Sequence, residues 1–109
     1  MSEKFLPVAQ LADIPRGKMK CVKLDGRKIL LANVDGEIHA ADETCTHEDA
    51  SLCLGSLKGP LVRCPLHGSR FDLRTGAALE DPAEQPLAIY PVRIEGDTIL
   101  IGTQPKEAL

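Results

Sequence analysis

The chain has 109 residues, with sixteen acidic against thirteen basic side chains and a formal net charge of −3. That length fits one domain, spanning 1–109, which would bury roughly 60–70% of its surface on folding; the acidic balance argues against a nucleic-acid binder, whose footprint is basic. No stretch approaches the run of about eighteen apolar residues that a membrane span needs, and Met1-Ser2-Glu3-Lys4-Phe5 lacks the basic-then-apolar pattern of a signal peptide, so the cytoplasm is the expected compartment.

In chain order, Phe5 to Ala9 reads as a short edge strand, because Pro7 cannot donate to a ladder and an edge tolerates that. Leu11 to Gly17 is a connection ended by a Pro and Gly turn signal. Met19 to Leu24 alternates like a strand, and Asp25-Gly26 turns it into Lys28 to Val34. A second pair, Asp35-Gly36, turns the chain into Glu37 to Ala41. These three strands make a meander, with no helical period long enough to compete.

From Asp42 to about Pro86, glycine and proline punctuate the chain and leave room only for short strands at Ser56 to Lys58, Leu61 to Arg63 and Arg70 to Asp72. This stretch, about 43–86, reads as a small lobe inserted between strands of a larger barrel. Leu87 to Ile94, a turn at Glu95-Gly96-Asp97, and Thr98 to Ile101 form a closing hairpin, after which Gln104 to Leu109 frays. The expected class is all-β, an antiparallel barrel or sandwich carrying the inserted lobe.

The chemistry concentrates in that lobe. Thr44-Cys45-Thr46-His47 and Cys64-Pro65-Leu66-His67-Gly68-Ser69 each bring one thiol and one imidazole, and sixteen residues separate His47 from Cys64. Any one of these side chains alone would be an ordinary buried cysteine or surface histidine. Together, on loops marked by Gly and Pro, they read as metal ligands. In a chain with no export signal, four cysteines favour metal binding over disulfides. A mononuclear zinc site accepts the same donor set, although zinc sites more often pair Cys with Cys and His with His. One Cys and one His per loop suits a centre with two unlike metal positions, as in a cluster where two His replace two Cys on one iron.

These motifs resemble the signature of Rieske iron–sulfur proteins. The flanking text, from Gly36-Glu37-Ile38 through Phe71-Asp72-Leu73-Arg74-Thr75-Gly76 to Pro86-Leu87 and Tyr90-Pro91-Val92, is similar to the small Rieske ferredoxins of bacterial multicomponent dioxygenases. The resemblance implies a Rieske fold, one 2Fe–2S cluster held by Cys45, His47, Cys64 and His67, and a one-electron carrier that is not itself an enzyme. It implies as partners an NAD(P)H-dependent flavin reductase and a terminal aromatic-ring dioxygenase, served by a monomeric, cytoplasmic shuttle. Two other readings stand beside it: a Rieske-like small subunit of an NADH-dependent nitrite reductase, and a zinc-stabilised interaction module.

The resemblance also bears on the residues around the ligands. Pro65 shapes the second loop, and Gly68 allows a close backbone approach or serves as a plain turn glycine. High-potential Rieske proteins keep a Ser at the position of Ser69, a Tyr where this chain has Phe71, and a disulfide where it has Ala50 and Leu66. With one hydroxyl donor of the two, the potential is expected near the low end of the Rieske span of roughly −150 to +300 mV, falling as pH rises through the titration of the ligand histidines. Cys21 is expected to be a small core hydrophobe, Cys53 has no ligand vacancy to fill, and His39 is expected to have a structural or surface role. Glu48 and Asp49 either rim the site as a docking charge or are an ordinary solvated loop.

Overall fold

The computed structural model describes residues 4–46, 50–66, 68–79 and 85–105. The described residues hold ten strands in three antiparallel sheets: β1 (Phe5–Gln10), β2 (Met19–Leu24), β3 (Arg27–Val34), β4 (Glu37–Asp42), β5 (Ser56–Lys58), β6 (Leu61–Arg63), β7 (Arg70–Asp72), β8 (Ile89–Tyr90), β9 (Val92–Glu95) and β10 (Thr98–Gly102). The strand orders are β1-β10-β9, β2-β3-β4-β8 and β5-β6-β7. The fold is all-β, as the alternation and turn signals indicated.

The β2-β3-β4 meander follows from its turns. Asp25 and Asp35 take φ of 53° and 54°, followed by Gly26 at 84° and Gly36 at 93°, the double positive-φ pattern that matches strand twist in a two-residue hairpin. Asn33 fastens the second turn, its Oδ1 accepting from the Gly36 amide at 2.7 Å while its Nδ2 donates to the Ile14 carbonyl at 2.8 Å. β1 lies at a sheet edge, and its register shifts between Pro7 and Ala9.

The four-stranded sheet is apolar on both faces. Ile29 and Leu31 of β3, Ala40 of β4 and Tyr90 of β8 pack in one core with Ile99 and Ile101 of β10. Leu30 and Ala32 of β3, Ala41 of β4 and Ile89 of β8 pack in a second core with Val62, Phe71 and Leu73 of the 56–73 region. Period-two alternation sends successive side chains to opposite faces, so one sheet closes the barrel on one side and seats the lobe on the other. Within the first core, the Tyr90 hydroxyl donates to Asp42 Oδ1 at 2.6 Å. Burial, with that carboxylate beside it, pushes the Tyr90 phenol above its usual range.

Two expectations are corrected. Leu87 to Ile94 is not one strand: β8 pairs with β4, β9 pairs with β10, and the chain changes sheets at Pro91. Proline lacks the N–H that a continuous ladder would require. Cys21 is not a solitary core hydrophobe either. It forms a disulfide with Cys53 across 32 positions of sequence, with Cα atoms 6.1 Å apart, so two of the four cysteines are bridged where metal binding had been the general expectation.

Gly76 closes the turn that follows β7. Its φ is +85°, and a Cβ there would meet the Leu87 carbonyl oxygen at 2.2 Å, whereas Gly96, with φ +62°, faces open space. Gly76→Ala is therefore expected to cost about 2–4 kcal/mol, from backbone strain plus steric conflict. Gly96→Ala should cost only about 1–2 kcal/mol. Denaturant unfolding of the two variants checks the difference, and equal losses would contradict the assigned role of Gly76.

Candidate cluster-binding site

Both candidate loops spring from paired backbone. The first leaves β4 and returns at a Thr44–Ser51 bridge, where the Cys45 amide donates to the Ala50 carbonyl at 2.9 Å. The second joins β6 to β7, with Arg63 opposite Arg70, and there the Cys64 amide donates to the Ser69 carbonyl at 2.8 Å. In each case a cysteine amide reaches the carbonyl five residues ahead. Neighbouring bonds anchor the first loop: Glu43 donates to the Lys28 carbonyl at 3.1 Å, Leu52 to the Glu43 carbonyl at 2.8 Å, and the Thr46 hydroxyl to the Gln85 carbonyl at 2.8 Å.

The structure brings the two cysteines together in the lobe core. Cys45 and Cys64 are 4% and 2% exposed and share one apolar cluster with Leu52, Val62, Phe71 and Leu87. His47, His67, Glu48 and Asp49 lie outside the described residues, so their sequence assignments stand as expectations. Ser69 is 1% exposed, and Phe71 lies in the same core as the two cysteines. Gly68 has φ +75°, and a Cβ on it would meet Arg63 Nη2 at 2.9 Å; the turn itself calls for glycine, with the Gly68 amide donating back to the Cys64 carbonyl at 3.1 Å. His39 stands apart on β4, its Nε2 3.0 Å from Glu37 Oε1.

Sequence reasoning missed the surface beside the second loop. Leu54 and Leu66 are 79% and 63% exposed, and both line a shallow cavity with Cys64 and Pro65. Large apolar side chains inside the Gly- and Pro-rich stretch were the available signal.

The donor chemistry fits an iron–sulfur centre. Two buried sulfurs from two matching loops offer soft ligands, and the surrounding apolar shell excludes water. An all-β domain presenting such a pair of loops belongs by class with the small iron–sulfur proteins. Residues 4–91 match the Rieske [2Fe-2S] domain, and the chain belongs to that family. It is 43% identical over 101 residues to the ferredoxin component of a naphthalene 1,2-dioxygenase system of Pseudomonas aeruginosa, covering 93% of this chain and 97% of that one. Its fold superposes on a solved ferredoxin of Sphingomonas yanoikuyae B1 with TM-score 0.88 and 35% identity, covering 93% of this chain and 100% of that one. It also superposes on a chain of the complex of reduced oxygenase and oxidized ferredoxin in carbazole 1,9a-dioxygenase, with TM-score 0.90 and 28% identity over 97% of this chain and 99% of that one.

Asp72, at the end of β7, locks the turn that carries the second loop back into the fold. Its carboxylate accepts from the Arg74 amide at 2.9 Å, from Arg74 Nε at 3.0 Å and from Arg74 Nη2 at 2.8 Å. Those guanidinium bonds hold the Asp72 carboxyl below its ordinary value of 3.8. The unfolded chain then binds the extra proton first, so this stabilisation is present above about pH 4 and lost as pH falls through the folded value. Asp72→Asn is expected to be less stable than the parent at neutral pH, the gap closing below about pH 4. Unfolding curves across the acid range check it, and a gap independent of pH would contradict it.

Proposed function

We propose that this protein is a Rieske ferredoxin, a one-electron carrier passing electrons from an NAD(P)H-dependent flavin reductase to a terminal aromatic-ring dioxygenase. Cys45 and Cys64 would supply the thiolates and His47 and His67 the imidazoles for one 2Fe–2S cluster per chain. The burial of both cysteines in one apolar core, from loops closed by the same backbone bond, carries this reading. The likeness to ferredoxin components of dioxygenase systems favours it over a nitrite reductase subunit and over a zinc-stabilised module. The carrier is further read as a cytoplasmic monomer.

When bound, the cluster supplies a one-electron couple; the chain's own residues set the conditions around it. The lobe core keeps water from the thiolate side, and Ser69, buried in the second loop, would offer its hydroxyl to a cluster sulfur. Leu54 and Leu66 give a partner an apolar contact beside the Cys64 loop, suited to the small interfaces of redox encounters.

Anaerobic reconstitution tests the assignment directly. Brown protein containing iron and acid-labile sulfide, bleached by dithionite and reduced by NAD(P)H through a dioxygenase-system reductase, is the expected result. Colourless protein holding zinc and no sulfide would overturn it. Ser69→Gly should lower the reduction potential in a redox titration, and an unchanged potential would remove the hydroxyl's role. The double change Leu54→Asp with Leu66→Asp should slow electron transfer to the oxygenase roughly tenfold while leaving the potential in place; unaltered transfer would dismiss the contact surface.

A further inference from the structure

Cys21 and Cys53 take no part in the cluster-binding set, yet their disulfide connects to it structurally. Cys21 lies in β2, opposite Leu30 in the shared sheet, and Cys53 lies in the one-turn 3-10 segment Leu52–Leu54. That segment is the returning arm of the first loop: Ser51 bridges Thr44, Leu52 donates to the Glu43 carbonyl at 2.8 Å, and Cys45 donates to the Ala50 carbonyl at 2.9 Å. The disulfide thus ties the arm that closes the Cys45 loop to the barrel's sheet.

Cys21 and Cys53 are both only partly buried residues, within reach of a small thiol. Disulfides in a reducing compartment are characteristically transient or sensing ones. We propose that the Cys21–Cys53 pair is a thiol-reversible staple whose oxidation state decides how firmly the Cys45 loop is held, and hence how long the cluster is retained. The second clause rests on the iron–sulfur reading above; the first does not. Closing the staple requires an oxidant, and a low-molecular-weight disulfide suffices. Each cysteine thiol gives up its hydrogen, the Cys21–Cys53 S–S bond forms, the co-reactant's S–S bond breaks, and both of its halves leave as thiols. Opening is the same exchange in reverse.

The staple restricts the loop by limiting the open conformations of the 32-position segment that it closes. One competing use of these atoms exists. A Glu43 carboxylate oxygen lies within 4.8 Å of both sulfurs, so the open dithiol offers a three-donor set to a zinc-type cation. Disulfide bonding of the same two sulfurs favours the staple.

The test uses the full-length protein equilibrated in oxidised or in reduced glutathione. Alkylation followed by peptide mass mapping reads the state of Cys21 and Cys53, and hydrogen exchange at the Cys45 and Leu52 amides of the cluster-free protein reads the loop. The expected result is a bridged pair with slow exchange in oxidised glutathione and, in reduced glutathione, an open pair with exchange faster by about tenfold or more. In the cluster-loaded protein, bleaching in a chelator should accelerate in parallel. Cys53→Ser should exchange and bleach at the fast rate in both buffers, with chemical reduction of the parent as the check that needs no variant. Equal amide exchange in the two states would overturn the staple, as would a bond that glutathione cannot open or a dithiol pair loaded with zinc. Altered exchange with unaltered bleaching would overturn only the link to cluster retention, and absence of any cluster would count against the function and not the staple.

Discussion

A strand that is apolar at successive positions has only one stable setting: between two packing partners. Ile29-Leu30-Leu31-Ala32 of β3 is buried at every position, and its alternate side chains serve two different cores. At roughly 25 cal/mol per Å² of apolar surface removed from water, leaving either face exposed would forfeit a large share of the stabilisation available to so small a domain. The barrel and the lobe are therefore two coverings of one sheet. The lobe sits where it does because the second face must be covered.

The site inherits its position from that constraint. β4 supplies the first loop and also contributes Ala41 to the lobe core, while β6 and β7 supply Val62 and Phe71 to that core and carry the second loop between them. The strands that present the cysteines are thus the strands that seat the lobe. A cysteine amide bonded to the carbonyl five residues ahead gives each loop the same backbone closure, which restricts the backbone of each cysteine. Preorganisation of this kind lowers the ordering cost of binding.

The outer parts of the lobe differ in character. Leu54 and Leu66 project into solvent beside the Cys64 loop. Asp72 and Arg74 brace the turn behind the second loop, and the Cys21–Cys53 disulfide braces the arm behind the first. Each cysteine loop thus has its own brace, one ionic and one covalent, respectively sensitive to pH and to thiols.

Local features were legible before any coordinates. Asp-Gly pairs announced the hairpins because few other dipeptides accept two successive positive φ values, and the short lobe strands stood out between their Gly and Pro boundaries. The Cys45 and Cys64 motifs stood out because spacing within a loop is a local property, and the structure buries both cysteines in one core. Long-range facts were not. Nothing in the text around Pro91 said that the strand before it would join one sheet and the strand after it another, since strand pairing depends on partners dozens of residues away. Cys21 and Cys53 could not be paired by spacing, because a disulfide requires Cα atoms within about 7 Å and sequence carries no distances. Leu54 and Leu66 read as ordinary apolar residues until the tertiary structure turned them outward. The sequence by itself determined the turns and the alternation, because both are local; packing alone decided which faces are covered, which sulfurs meet and which leucines stay exposed.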